Sequence, residues 1–145
     1  MTPRKLAAIH RACFTTPRPW GELEFVGFLC NPRTFLLTDS LGFALGRVVA
    51  DEAELLTLAV VPSLQRKGRG KALLAAFLAE AARRGAVRAH LEVSIENAVA
   101  QAMYRDAGFV ESGRRKAYFK TPEGARIDAI LMSRALDRAG ILAES

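Results

Sequence analysis

The sequence predicts an α/β protein in which strands and helices share one mixed sheet with helices on both faces. Three observations predict it. Half of the 145 residues are hydrophobic, which supplies a core and argues against disorder. Apolar runs of period two alternate along the chain with runs at helical spacing. No Pro/Gly/Ser-rich linker, internal repeat or low-complexity stretch divides the series, so residues 1–145 are expected to form one domain.

The elements follow in order. Leu6, Ile9, His10 and Cys13 recur at helical spacing and predict a helix over 3–14, broken by Pro17 and Pro19. A second short helix is expected from Trp20 to Leu29. Residues 35–38 and 43–49 read as strands around the turn Asp39-Ser40-Leu41-Gly42. Asp51 and Glu52 mark a second turn before a strand over 54–61, which Pro62 stops. From Gly70 to Arg84 a helix carries Leu73, Leu74, Phe77, Leu78 and Ala81 on one face, Glu80 can pair with Arg84, and Gly85 suits the C-terminal left-handed position. The run 87–93 alternates, with Val87, Ala89, Leu91 and Val93 on one side and Arg88, His90 and Glu92 on the other. Asn97 caps a helix that runs to Ala107 and closes at Gly108. A strand begins at 109–111 and resumes at 115–120. The turn Thr121-Pro122-Glu123-Gly124 then leads to a last strand over 126–133.

Composition narrows the function classes. The net charge of +6 and pI of about 9.9 suit a phosphate-bearing ligand or a nucleic-acid-rich neighbourhood. Cys13 and Cys30 have neither metal-ligand spacing nor a disulfide framework, so they are expected to be reduced, buried thiols of a cytoplasmic protein without a metal. The N-terminus lacks the apolar core of a signal peptide, and no apolar run reaches membrane-spanning length.

The strongest chemical signal lies between Val60 and Leu74. A strand, a turn Gln65-Arg66-Lys67-Gly68-Arg69-Gly70 and a helix start succeed one another. The first N–H groups of a helix have no internal partner, and its dipole favours anions there. Gly68 and Gly70 let backbone approach a ligand closely. Arg66, Lys67, Arg69 and Lys71 add positive charge. The ligand this suggests is a pyrophosphate; a plain basic turn is the alternative. Neither the Walker A spacing nor the dinucleotide fingerprint is present.

Further constellations each carry more than one reading. Glu92, near the end of a strand, is a general base or a salt-bridged strand residue. Asn97 is a ligand contact or a helix cap, and Tyr104, two turns on, is a proton donor or a packed aromatic. The run Arg114-Arg115-Lys116-Ala117-Tyr118-Phe119-Lys120 is an acceptor-binding hairpin, a nucleic-acid patch or a solvated face. Trp20, Glu22 and Glu24 either line a substrate groove or belong to a helix with Trp20 packed inward.

In this order the pieces resemble the GNAT superfamily of acyl-CoA-dependent N-acyltransferases. The turn 65–70 is similar to the family's Q/R-x-x-G-x-G/A coenzyme A signature. LEVSIENAVAQAMYRDAGF, 91–109, resembles its second signature of strand, Asn, helix Tyr and closing Gly-Phe. Within the superfamily the chain looks most like the ribosomal-protein alanine N-acetyltransferases of the RimI type, on Pro19-Trp20, the central LEV–N–A–Y, and RRKAYFKTPEGARIDAILM at 114–132. Where that type has two adjacent tyrosines, this chain has Tyr118-Phe119.

The resemblance implies a GNAT fold with a mostly antiparallel twisted sheet. It implies acetyl-CoA as co-substrate and the N-terminal α-amine of a protein, a ribosomal-protein alanine, as acceptor. Leu58, Ala59 and Val60 would offer backbone groups to the pantetheine arm, and the N–H groups of Arg66, Lys67, Gly68, Arg69, Gly70 and Lys71 would hold the pyrophosphate. Glu92 matches the general base, Asn97 a coenzyme contact and Tyr104 the general acid. Transfer is expected to be direct, by a monomer or weak dimer that touches neither membrane nor nucleic acid. A small-molecule amine or a protein lysine as acceptor, a catalytically silent acyl-CoA-binding module, and a nucleic-acid-binding domain are the rival readings.

Overall fold

Pro3 opens helix α1 (Pro3–Cys13), because its ring suits a first turn, and Thr2 caps it by accepting the Lys5 N–H. The computed structural model describes residues 1–65 and 68–136. Among them α1 is followed by α2 (Glu22–Leu29), β1 (Thr34–Asp39), β2 (Gly42–Val49), β3 (Glu52–Val60), α3 (Arg69–Arg83), β4 (Arg88–Ser94), α4 (Ala98–Asp106), β5 (Val110–Lys120) and β6 (Arg126–Ala135). The strands form one sheet in the order β1-β2-β3-β4-β6-β5. The β3–β4 pair is parallel and the other four pairs are antiparallel. This is the mixed, mostly antiparallel sheet that was expected.

Two cores lie on opposite faces of the sheet. On one face α3 buries Leu73, Leu74, Phe77 and Leu78 against Phe35, Leu55, Leu91, Ile130 and Met132. On the other, α1 and α2 bury Leu6, Ile9 and Phe25 against Phe43, Leu45 and Ala59. Each fully buried aliphatic or aromatic side chain contributes about 1.5–3 kcal/mol relative to exposure.

Two irregularities in the central strands shape the site. Leu45 pairs with Thr57 but Gly46 pairs with Leu55, so Leu56 is an extra residue in β3. This bulge reverses the side-chain alternation. Leu55 before it and Leu58 and Val60 after it all face α3, while Leu56 and Ala59 face α1 and α2. Farther along, β3 parts from β4. Their pairing is confined to Glu52 with Arg88, Ala53 with Ala89 and Glu54 with His90. Beyond Glu54 and His90 the two strands separate, and a cleft opens in the middle of the sheet.

Several local expectations are corrected. Glu52 lies in β3, and the turn before it places Ala50 at φ 55°. The expected break in the fifth strand is a continuous β5 with register shifts at Glu111/Gly113 and Arg115/Phe119. Val87 precedes β4 and is 48 % exposed, so it does not join the inward face. Cys30 is exposed and Cys13 half-buried, so they are not a pair of buried thiols. Cys30 ends the short α2 as its C-cap, which carries its side chain off the core face.

Candidate active site

The cleft between β3 and β4 leads to the start of α3. Gly68 is the N-cap of that helix at φ 80°, a left-handed conformation that L side chains adopt at a cost. Its carbonyl accepts the Ala72 N–H at 3.0 Å. No side chain caps the helix, which leaves the N–H groups of Arg69, Gly70 and Lys71 to an incoming acceptor. A Cβ at Gly70 would meet Met103 Sδ at 3.1 Å and Leu58 Cδ2 at 3.8 Å. The absent side chain therefore lets α3 close on α4 and β3 together. An anion with several acceptor oxygens fits this donor set.

The expected cations are only partly available to it. Arg69 Nη1 is drawn to Asp39 Oδ1 at 2.5 Å, and Lys71 Nζ lies 3.9 Å from Asp106 Oδ2 with both groups well exposed. Arg66 and Lys67 lie outside the described residues. On β3, Ala59 and Val60 are buried and Leu58 is half-buried. The Val60 carbonyl already accepts from Cys13 Sγ at 3.1 Å and from Gln65 Nε2 at 2.9 Å. That oxygen is already committed within the protein.

Glu92 sits on β4 beyond the point of separation, on the face opposite Ala89, Leu91 and Val93, and so on the α1/α2 side. Its carboxylate is 24 % exposed, with Oε1 3.3 Å from Arg115 Nε. Register explains the pair: Glu92 lies opposite Leu131 and Arg115 opposite Ala129, two residues apart on the intervening β6. The Arg115 guanidinium also lies over the Tyr118 ring, 5.1 Å from its centroid. Glu92, Arg115 and Tyr118 thus form a connected row across three strands. Arg114 is paired with Glu111 at 2.9 Å. Two of the run's cations are therefore matched by carboxylates, which weakens its reading as a nucleic-acid patch.

Tyr104 projects from α4 and is 8 % exposed, with its ring edge-on to Phe109 at 6.1 Å between centroids. Burial pushes its phenol up to about 12. No hydrogen bond to the hydroxyl is present among the described residues. Gln101, one turn earlier, is buried and donates from Nε2 to the Ser94 and Ile95 carbonyls, both at 3.0 Å. It pins α4 to the end of β4 and so fixes Tyr104 relative to Glu92. Asn97 is exposed and caps α4, its Oδ1 accepting the Ala100 N–H at 3.1 Å. The cap reading holds for its carbonyl, and the amide nitrogen remains for a ligand.

Arg115 and Gln101 are the residues that sequence reasoning missed. Arg115 was visible only as one charge in a basic run. Gln101 was visible as a polar residue on the inner face of a helix, three positions before Tyr104. His90 lines a cavity of about 260 Å³ with Arg33, Arg47, Glu52 and Glu54 at the closed end of the cleft. No group of three or more His, Cys, Asp or Glu side chains placed to hold a metal occurs among the described residues.

Residues 5–109 match the acetyltransferase (GNAT) family. The chain belongs to that family. It is 40 % identical over 119 residues to the [ribosomal protein bS18]-alanine N-acetyltransferase of Escherichia coli, covering 79 % of this chain and 80 % of that one. It is 33 % identical over 140 residues to the N-alpha-acetyltransferase RimI of Mycobacterium tuberculosis, covering 90 % and 85 %. The crystal structure of the ribosomal-protein-S18-alanine N-acetyltransferase from Escherichia coli superposes with a TM-score of 0.83 at 34 % identity, over 99 % of this chain and 91 % of that chain. As a GNAT acetyltransferase the protein draws on acetyl-CoA. No helix among its described residues is long and apolar enough to cross a membrane.

The cradle gives a first prediction. Around Gly68 a Cβ would meet nothing within 4 Å, so Gly68→Ala adds strain without a clash. The left-handed backbone costs an alanine about 1–2 kcal/mol. Relief of that strain reorients the first amides of α3. Coenzyme A titrated calorimetrically should bind the variant about tenfold more weakly, the equivalent of 1.4 kcal/mol. Equal affinity would show that these amides do not carry the binding.

Proposed function

We propose that this GNAT enzyme, acting as a single cytoplasmic domain, acetylates the N-terminal α-amine of a protein, and that its acceptor is a ribosomal protein beginning with alanine. The observation that supports the reading is the split between β3 and β4, with uncapped helix amides at the start of α3, Glu92 on β4 past the split, and Tyr104 on the helix that Gln101 ties to the end of β4. The names of the relatives, given for the same reaction class at 40 % identity, support the acceptor.

Acetyl-CoA supplies a thioester carbonyl that a free amine can attack. The amides of Gly68, Arg69, Gly70 and Lys71 hold its diphosphate, with Arg66 and Lys67 expected to join them. Backbone of Leu58 and Ala59 aligns the pantetheine arm as an added strand would. Glu92 takes the proton that the acceptor ammonium must lose, directly or through water. Tyr104 meets the departing sulfur.

The choice of an α-amine follows from proton energetics. At pH 7 an α-amine with a pKa of 7.7–8.0 costs about 1.2 kcal/mol to neutralise, against about 4.6 kcal/mol for a lysine near 10.4. One carboxylate closes the first gap more readily than the second. A cysteine nucleophile is disfavoured, because burial pushes the Cys13 thiol up and that thiol hydrogen-bonds to Val60 O. Attack is therefore direct.

The deciding test incubates enzyme and acetyl-CoA with an alanine-leading peptide that also contains lysine, and locates the acetyl group by fragment mass spectrometry. One acetyl on the α-amine is expected, and none when that amine is blocked beforehand. Modification of lysine alone, or of small amines in preference to the peptide, would overturn the proposed acceptor.

A further inference from the structure

His10 is 1 % exposed, and both of its ring nitrogens are engaged. The Trp20 backbone N–H donates to Nδ1 at 3.0 Å. Nδ1 must therefore carry a lone pair, which places the single ring proton on Nε2. Nε2–H then donates to Thr57 Oγ1 at 3.0 Å. The imidazole stacks on the Trp20 indole with centroids 5.0 Å apart and planes 13° apart. Phe14, Phe25 and Phe43 close the cage. Burial there pushes the imidazole down to about 4, with Glu24 opposing and Arg18 adding to the fall, so the ring is neutral at neutral pH.

These contacts join three parts of the chain. His10 belongs to α1. Trp20 ends the proline-containing connection into α2, on the face of the sheet that carries Glu92. Thr57 immediately follows Leu56, the extra residue of the β3 bulge. Aromatic packing alone would hold these parts close without fixing their register. Two hydrogen bonds of opposite sense on one rigid ring fix it, because a donor and an acceptor cannot be exchanged without leaving a buried polar group unpaired.

The geometry points to His10 as a positioning residue that holds the Trp20 segment in register with the β3 bulge and thereby sets the wall against which the acceptor amine is presented to Glu92. This rests on the proposed function, in which Glu92, on the α1/α2 face, meets the acceptor ammonium. His10 exchanges no proton with substrate; it acts through Trp20 and Thr57. The consequence is selective. Loss of the two hydrogen bonds loosens the acceptor side, while the amides of α3 that hold the diphosphate lie on a different element.

The test compares His10→Phe with His10→Gln. Phenylalanine keeps a ring in the cage and loses both hydrogen bonds. Glutamine offers a carbonyl to the Trp20 N–H and an amide N–H to Thr57. His10→Phe should raise the KM for an alanine-leading peptide by about tenfold, the equivalent of 1.4 kcal/mol. Its KM for acetyl-CoA and its kcat should stay near wild type. His10→Gln should restore most of the acceptor KM. Thr57→Val, which removes only Oγ1, should give a smaller rise of the same kind. Trp20 is the chain's one tryptophan, so its emission reports the segment without catalysis: red-shifted and more easily quenched in His10→Phe, close to wild type in His10→Gln. Equal rises in both substrates' KM, an unshifted acceptor KM in His10→Phe, or a glutamine variant as impaired as phenylalanine would each overturn the assignment. If the wild-type protein acetylates no peptide, the proposed function falls, and the emission of the variants still decides whether His10 holds the segment.

Discussion

Glu92→Gln is expected to lower kcat by about 10²–10⁴-fold, the span that a positioned general base contributes, and to leave coenzyme A affinity unchanged. Two features of the site make the substitution clean. The glutamine carbonyl can still face Arg115 Nε, which lies 3.3 Å from the native Oε1. The side chain also lies on the α1/α2 face, away from the helix amides proposed to hold the diphosphate. A pH series adds a signature. An α-amine near pKa 8 is about one-tenth neutral at pH 7 and nearly all neutral at pH 9. The variant depends on that free fraction, so its deficit relative to wild type should narrow as pH rises. Initial rates of thiol release between pH 7 and 9, with calorimetry on the same samples, measure both quantities. Undiminished turnover would remove Glu92 from the mechanism, and a parallel loss of coenzyme A binding would make its role structural.

Glu92 and Arg115 mark the limit of what is legible in the sequence. Elements set by local chemistry were legible. Pro3 and Thr2 start α1, Gly85 and Gly108 close helices at φ 94° and 92°, and Ala89, Leu91 and Val93 face inward on β4 as alternation requires. The cradle was legible for the same reason, since a glycine turn ahead of a helix is a local signal. What depends on register was not. The bulge at Leu56 leaves no mark in ELLTLAV, because leucines on either side of it satisfy either face. The pairing of Arg115 with Glu92 depends on β6 inserting between β4 and β5, a topological fact that neither segment encodes alone. Gln101 and His10 looked like ordinary polar residues on amphipathic helices. Their partners are backbone carbonyls, a backbone N–H and one hydroxyl, which carry no residue-specific signal. Charge was misleading in the opposite way: Arg69 reads as a phosphate ligand, yet Asp39, thirty positions earlier, takes up its guanidinium.

Tyr104→Phe should cost about 10²-fold in kcat, the lower end of what a proton donor supplies, with no loss of thermal stability. The second half of that expectation follows from geometry. The hydroxyl has no hydrogen-bond partner among the described residues, and the ring's edge-on contact with Phe109 at 6.1 Å survives the substitution. The first half depends on where the proton sits. A phenol near 12 stays protonated across the working range, whereas a thiol has a pKa of about 8.5. Full transfer from this phenol to a thiolate would run uphill by about 5 kcal/mol at 1.36 kcal/mol per unit. The expectation is therefore that Tyr104 donates a hydrogen bond to the sulfur as negative charge grows there, without giving the proton up. The sign of the pH effect follows. A group that works while protonated, with a pKa near 12, produces no alkaline fall in rate below pH 10. Wild-type and Tyr104→Phe profiles should run parallel from pH 7 to 10, offset by a constant factor. A wild-type rate that drops above pH 9 while the variant's does not would mean that bound acetyl-CoA brings the phenol down to the sulfur's range, and complete proton transfer would then replace the hydrogen bond. Equal kcat values at every pH would assign the departing sulfur's proton to water and leave Tyr104 as packing.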